Sequence, residues 1–145
     1  MKLLTNRFGE IELNEDHLYT FAKGIPGFET HHKFVLLAPE QDEPFKFLQA
    51  VEDPELMFVI ADPFLFYPDY EFDLPDSAIE ELGIQSPDQV RVHAIISIHG
   101  DLESATVNLV APVIMNRSSK LAKQVVLSKT AYSTRHPLFA ASKQL

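Results

Sequence analysis

The sequence predicts a mainly-β fold: a small antiparallel barrel-like or roll-like single domain with one short helix near residues 75–82. Three observations carry this. About nine short runs are either continuously apolar or alternate apolar with polar residues, the period of a strand. Only one segment repeats apolar residues at helical spacing. Ten prolines and five glycines interrupt the chain too often for long helices or a βαβ alternation. With 145 residues the chain suits one domain that can bury a core without covalent staples. The domain is expected over residues 1–130, with 131–145 a loosely ordered C-terminal tail.

Taken in order, Leu3–Phe8 and Glu10–Leu13 flank Gly9 and read as a hairpin. Leu18–Phe21 is a short strand. Lys23–Glu29 is a turn cluster in which Gly24 and Gly27 permit unusual backbone angles and Pro26 fixes φ between them. Phe28 is expected to pin this loop to the core. Phe34–Leu37, Phe45–Val51 and Met57–Ala61 are strands, separated by turns at Pro39–Pro44 and Asp53-Pro54. The helix at Pro75–Leu82 has Leu74, Ala78, Ile79 and Leu82 on one face, Asp73 or Ser77 as candidate caps, and Gly83 as its stop. Ser86-Pro87-Asp88 suggests one further turn. Val90–His99 alternates over ten residues: Val90, Val92, Ala94, Ile96 and Ile98 face one way, Arg91, His93, Ile95, Ser97 and His99 the other. Gly100–Ser104 then turns the chain into Thr106–Val110. Val113–Met115 and Gln124–Leu127 complete the strands around an Asn116–Lys123 loop, with a helix over Lys120–Leu127 as the competing reading.

Asp62–Leu74 stands apart. It carries five of fifteen aromatics, four of 21 acids and two prolines. Either its rings plug the core across a bend, or it forms an aromatic, acidic ledge that docks a basic or apolar partner. Phe64 and Phe66 continue the apolar strand before them and are expected in the core. Tyr67, Asp69, Tyr70, Glu71 and Asp73 lead outward and are the candidate partner-binding residues. Asn108 is expected to satisfy a buried backbone group.

Charge is distributed unevenly. All 21 acids lie at or before Glu103; six Lys/Arg against those 21 leave −15 there, while the last 42 residues carry six Lys/Arg and no acid, +6. A net acidic body disfavours direct nucleic-acid binding and attracts basic proteins. The absence of cysteine excludes disulfides, zinc–thiolate sites and thiol nucleophiles. No secretory leader or membrane-length apolar run is visible, so a cytoplasmic location is expected. His93 and His99 share a strand face but sit about 20 Å apart; His31 and His32 point to opposite faces, and His17 and His136 are isolated. No set has zinc-ligand spacing. No Gly-x-Ser-x-Gly or phosphate loop occurs. No metal, cofactor or catalysis is expected. Two other classes stay open on residues alone: a small hydrolase using a carboxylate with His93 or His99, and a nucleic-acid binder acting through Arg117, Lys120, Lys123 and Arg135.

Phe21-Ala22-Lys23-Gly24-Ile25-Pro26-Gly27-Phe28-Glu29 resembles the Phe-x-x-Gly-[Ile/Leu]-Pro-Gly-Phe-Glu signature of the flagellar assembly factor FliW family. The likeness continues through Phe34–Leu37, Asp62-Pro63-Phe64, Asp69-Tyr70-Glu71-Phe72, Ala105–Pro112 and Lys123-Gln124-Val125. The resemblance implies a bacterial cytosolic barrel without catalysis. It implies binding to flagellin and to the RNA-binding translational regulator CsrA, whose repression of flagellin translation is thereby relieved. The chain itself is expected to bind neither nucleic acid nor membrane, and to be monomeric when free. Gly24, Ile25, Pro26, Gly27 and Phe28 of the signature are expected to be structural.

Overall fold

The computed structural model describes residues 2–38, 44–128 and 130–138, except for the side chains of His99 and Leu102. Residues 39–43 of the expected Pro39–Pro44 turn lie outside the described residues. The strands are β1 (Lys2–Thr5), β2 (Gly9–Glu12), β3 (Leu18–Phe21), β4 (Lys33–Leu37), β5 (Phe45–Ala50), β6 (Met57–Ala61), β7 (Val90–His99), β8 (Asp101–Val107), β9 (Val113–Asn116), β10 (Leu121–Gln124) and β11 (His136–Pro137). One helix, α1 (Asp76–Glu81), lies between β6 and β7.

Seven strands close into a barrel in the order β7-β6-β5-β4-β3-β10-β9, with β9 returning to β7. All neighbours are antiparallel except β3 and β10, which pair parallel through Leu121↔Thr20 and Ala122↔Phe21. β7 makes closure possible because it is long. One edge pairs with β6, with Val59 opposite Ile96 and Ala61 opposite Ala94. The other edge is divided: Val90–His93 pairs with β9, and from Ile96 onward it pairs with β8. β8 therefore leaves the barrel as a wing, and β11 pairs on its outer side.

Period-two alternation sends one set of side chains inward. Tyr19, Phe21, Phe34, Leu48, Ala50, Ile60, Val113, Met115 and Ala122 form the interior, with Phe21 and Phe34 edge-to-face at 5.2 Å. The outward set is apolar as well in three places, and each patch has a cover. The β1–β2 hairpin lays Leu3 over Val35 together with Leu13. The 62–74 segment and the C-terminal return cover Ala61, Ala94 and Ile96. α1 places Ala78 and Leu82 against Ile114, Val90 and Val92. β7 is thus apolar at Val90, Val92, Ala94 and Ile96 because these are roofed, while Arg91, His93 and Ile95 face the barrel and Ile98 stays exposed.

Several boundaries differ from expectation. β8 starts at Asp101, since Gly100 alone, at φ +91°, reverses the chain. β10 occupies Leu121–Gln124, not Gln124–Leu127, and no helix forms there. The cause is Asn116, buried at the end of β9: its Oδ1 accepts from Ser118 and Ser119 N–H and its Nδ2 donates to the Leu82 carbonyl. That closes a tight turn and brings the return strand in early. Neither Asp73 nor Ser77 caps α1; its N-cap is Pro75, without a side-chain bond. Of the segment from 131 expected to be loose, Leu138 is buried, Tyr132 and His136 are half-buried and the other residues to 138 are exposed; residues 139–145 lie outside the described residues.

Candidate functional site

The 62–74 segment is built by short-range rules. Asp62 accepts the Phe64 N–H at 2.9 Å and Pro63 starts a single 3₁₀ turn over Pro63–Leu65. The Tyr67 N–H then closes onto the Pro63 carbonyl at 2.9 Å. This bend projects alternate rings to opposite sides. Phe66 stacks on Phe45, with centroids 6.2 Å apart. Phe64, expected in the core, is 39% exposed, because the turn rotates it outward.

Tyr70, expected to be a surface contact, is instead 4% exposed. Its hydroxyl donates to the Leu109 carbonyl at 2.8 Å, and its ring meets Tyr132 at 4.8 Å and Phe72 at 5.4 Å. A phenol can be buried where its O–H finds a partner. Burial, and secondarily Tyr132, push its pKa well above the usual tyrosine value. Tyr67 is half-buried and its hydroxyl donates to the Pro137 carbonyl; burial raises its pKa too. These bonds tie the 131–138 return to the barrel. Leu138 sits in the same cluster as Tyr70, the Glu71 N–H donates to the Tyr132 hydroxyl at 3.1 Å, and Leu109 N–H donates to the Ser133 carbonyl.

The remaining candidates stay in water. Asp69, Glu71 and Asp73 are exposed. Glu71 and Asp73 form one lip of an open cleft of about 530 Å³, floored by Phe72 and Pro75 and bounded opposite by Val126, Leu127 and Thr130. Val126 is 66% exposed. On the other side of Phe72 lies a second groove of about 500 Å³, lined by Leu74, Ile79, Ile84, Val90 and Val92. An acidic-lipped cleft and an apolar groove therefore share one aromatic wall. Sequence reading missed the 126–130 side of this site, because Val125, Val126 and Leu127 look like a strand rather than a rim.

The signature loop is held by close backbone contacts. Gly24 has φ +69°, and a Cβ there would lie 2.6 Å from the Glu29 Cα. Gly27, at φ +90°, donates its N–H to Glu29 Oε2 at 2.8 Å. That bond is the main cause of the lowered Glu29 pKa. Ile25 is buried in the barrel core and bridges to Phe28; Pro26 is exposed. Phe28, expected in the core, is 39% exposed and lies edge-on to Phe58 at 5.3 Å. Asn108 accepts the Ala111 N–H at 3.0 Å, satisfying backbone as expected.

The four cations of the nucleic-acid reading do not share a face. Lys123 is paired with Glu81 at 2.7 Å, Lys120 lies over the Tyr19 ring, and Arg135 is in the C-terminal return. His93 is buried with its Nδ1 unbonded. Among the described residues no group of His, Asp and Glu could hold a metal ion. No helix of the described residues is long and apolar enough to cross a membrane.

Fold and surface together define a small closed β-barrel whose outer layer is grooved, with an acidic aromatic ledge on one flank. Comparison with known proteins sharpens this. The sequence model of the FliW protein family matches residues 2–138, and the chain belongs to that family. It is 43% identical over 138 residues to the flagellar assembly factor FliW of Bacillus licheniformis, covering 95% of this chain and 96% of that one. It is 43% identical over 143 residues to the Moorella thermoacetica protein of the same name, covering 98% and 90%. A crystal structure of the flagellar assembly factor FliW superposes with a TM-score of 0.89 at 41% identity, covering 96% of this chain and 97% of that one.

Proposed function

We propose that this chain is a cytoplasmic flagellar assembly factor that works by exchanging protein partners and carries out no reaction. Its partners are flagellin and a CsrA-type RNA-binding regulator of flagellin translation, whose repression it relieves; it binds no nucleic acid directly and is monomeric when free. The observation that supports this most is the pair of grooves around Phe72. The apolar groove beside α1 suits an amphipathic helix laid in by its apolar face. The Asp69, Glu71 and Asp73 carboxylates offer a potential complementary to an RNA-binding, hence basic, regulator.

Calorimetric titration with each purified partner tests the reading. Tyr70 is buried, so the informative change is Glu71→Lys with Asp73→Lys, which alters charge without touching the core. Affinity for the regulator should fall at least tenfold, more at low salt than at high, with the unfolding midpoint unchanged. Ile79→Asp should weaken flagellin instead. Unchanged affinity for both partners in both variants would remove this flank as the binding surface.

A further inference from the structure

We propose that the open mouth of the barrel beside Tyr19 and His93 is a binding site for a small polyanion carrying a phosphate-type group. This goes beyond partner binding and involves another part of the molecule.

Strand parity builds the site. Phe21, Leu48 and Ile95 point into the barrel, so Tyr19, Lys46 and His93, two residues before each, and Arg91 before His93, point into it near one end. The β9–β10 turn adds Arg117 and Lys120 at the rim. These residues line a cavity of about 400 Å³, within the range of small-molecule sites, which are commonly found in barrel mouths.

Three features mark the cavity as a place for an anion. First, the chain carries net −9 with twelve Lys/Arg, yet Lys46, Arg91, Arg117 and Lys120 converge here against only Asp16 and Asp88. Asp88 accepts from the Ser86 hydroxyl, the main cause of its lowered pKa, and also faces Arg117, so it offsets one cation and leaves Lys46, Arg91 and Lys120 against Asp16. Like charges gathered around a concave mouth raise one another's energy and concentrate counter-ions. Second, His93 is 4% exposed and its Nδ1 has no hydrogen-bond partner. A buried, unbonded polar atom is uncommon and costly. Third, Lys120 adopts φ +63°, a left-handed conformation that favours glycine. It is held there by its N–H on the Asn116 carbonyl at 2.9 Å, with its ammonium 5.3 Å from the Tyr19 ring centroid. The turn tolerates backbone strain and places a cation at the rim. The cavity exceeds one phosphate, and Tyr19 and Leu36 provide an apolar wall for an organic portion.

The test is an NMR titration of the full chain at low ionic strength, observing the His93 imidazole and the Tyr19 ring, with inorganic phosphate and then ribose 5-phosphate as probes. Both signals should move saturably. Burial, then Lys46 and Arg91, hold the His93 pKa down to about 4; a bound anion offsets those two cations, so the imidazole should titrate at higher pH. The other groups around it, Asp16 and His17 before β3, Asp88 before β7, and Arg117 and Lys120 on the β9–β10 turn, stay in place in both states. Arg91→Gln should weaken binding at least tenfold. Lys120→Gly should do the same while relaxing the backbone, and an unchanged spectrum away from the mouth shows that its loss of binding is not misfolding. Lys2→Gln, on the distant hairpin, should bind normally. Tighter binding of ribose 5-phosphate identifies an organic phosphate as ligand, equal binding free phosphate; either supports the site. No saturable shift at His93, or equal binding by the Arg91 and Lys120 variants (an adventitious ion only), overturns the proposal.

Discussion

Gly24 and Gly27 flank Pro26 in the signature loop, and replacing each with alanine separates two kinds of cost. Both residues have positive φ, +69° and +90°. An L-residue forced into that region costs about 1–2 kcal/mol. At Gly27 nothing lies within 4 Å of an added Cβ, so that cost is the whole effect. At Gly24 the Cβ would meet the Glu29 Cα at 2.6 Å and its carbonyl oxygen at 2.9 Å. These are backbone atoms, and they cannot rotate away. Glu29 is itself held by the bond from its side chain to the Gly27 N–H. Forcing the segment apart adds about 1–3 kcal/mol, the usual range for overpacking. Gly24→Ala should therefore destabilise by about 2–5 kcal/mol and Gly27→Ala by about 1–2 kcal/mol. Urea unfolding followed by tyrosine fluorescence measures both under one slope. Equal destabilisation by the two changes would refute the close-approach explanation and leave backbone angle as the only reason for glycine at 24.

Tyr70→Phe should cost about 1–2 kcal/mol, because it strands the buried Leu109 carbonyl; a loss below a few tenths in urea unfolding would mean that water replaces the hydroxyl. Stability should fall in acid through His93. Its folded-state pKa of about 4 lies below the ordinary 6.5, so the unfolded chain takes up the proton first. The contribution is full above pH 6.5 and is lost as pH drops toward 4, by about 3 kcal/mol at most. Urea midpoints from pH 7 to 4 should show this slope, reduced in His93→Gln. Lys120→Gly should stabilise the apo chain by up to about 1 kcal/mol by relieving the left-handed backbone; a lower thermal midpoint would show that the Tyr19 contact outweighs the strain.

Much of the barrel was legible from alternation alone. Val90–His99 declares itself because both faces of its first half are under pressure: Val92, Ala94 and Ile96 lie under the outer layer, and His93 and Ile95 face the barrel. The helix was readable from Ala78 and Leu82, and Gly83 stops it at φ +64°. What failed to show was non-local. Tyr132 and Leu138 are single apolar residues in polar surroundings, with no period to mark them; only the unroofed face of β6 and β7 explains their order. Tyr70 sits among acids and looks exposed, until Leu109, 39 residues away, supplies an acceptor. The basic mouth was hidden for a similar reason. Lys46, Arg91 and Lys120 are unremarkable one at a time, and only closure of the barrel brings them together. The signature loop was read as structural; within it Gly24 and Ile25 are buried, while Pro26, Gly27 and Phe28 are exposed. Phe28 was placed wrongly because an edge-on contact with one ring leaves much of it in water.

The divided edge of β7 has a consequence for solubility. By giving one half of that edge to β9 and the other to β8, it seals the barrel and leaves the nine-stranded sheet a single open margin. That margin is guarded. Its outermost strand is only His136–Pro137, and proline offers no N–H to an incoming strand. The stretch of β8 beyond it carries Asp101 and Glu103. A chain this rich in short β segments would otherwise offer templates for edge-to-edge aggregation. Among the described residues the nine-stranded sheet therefore offers little free backbone to a partner strand.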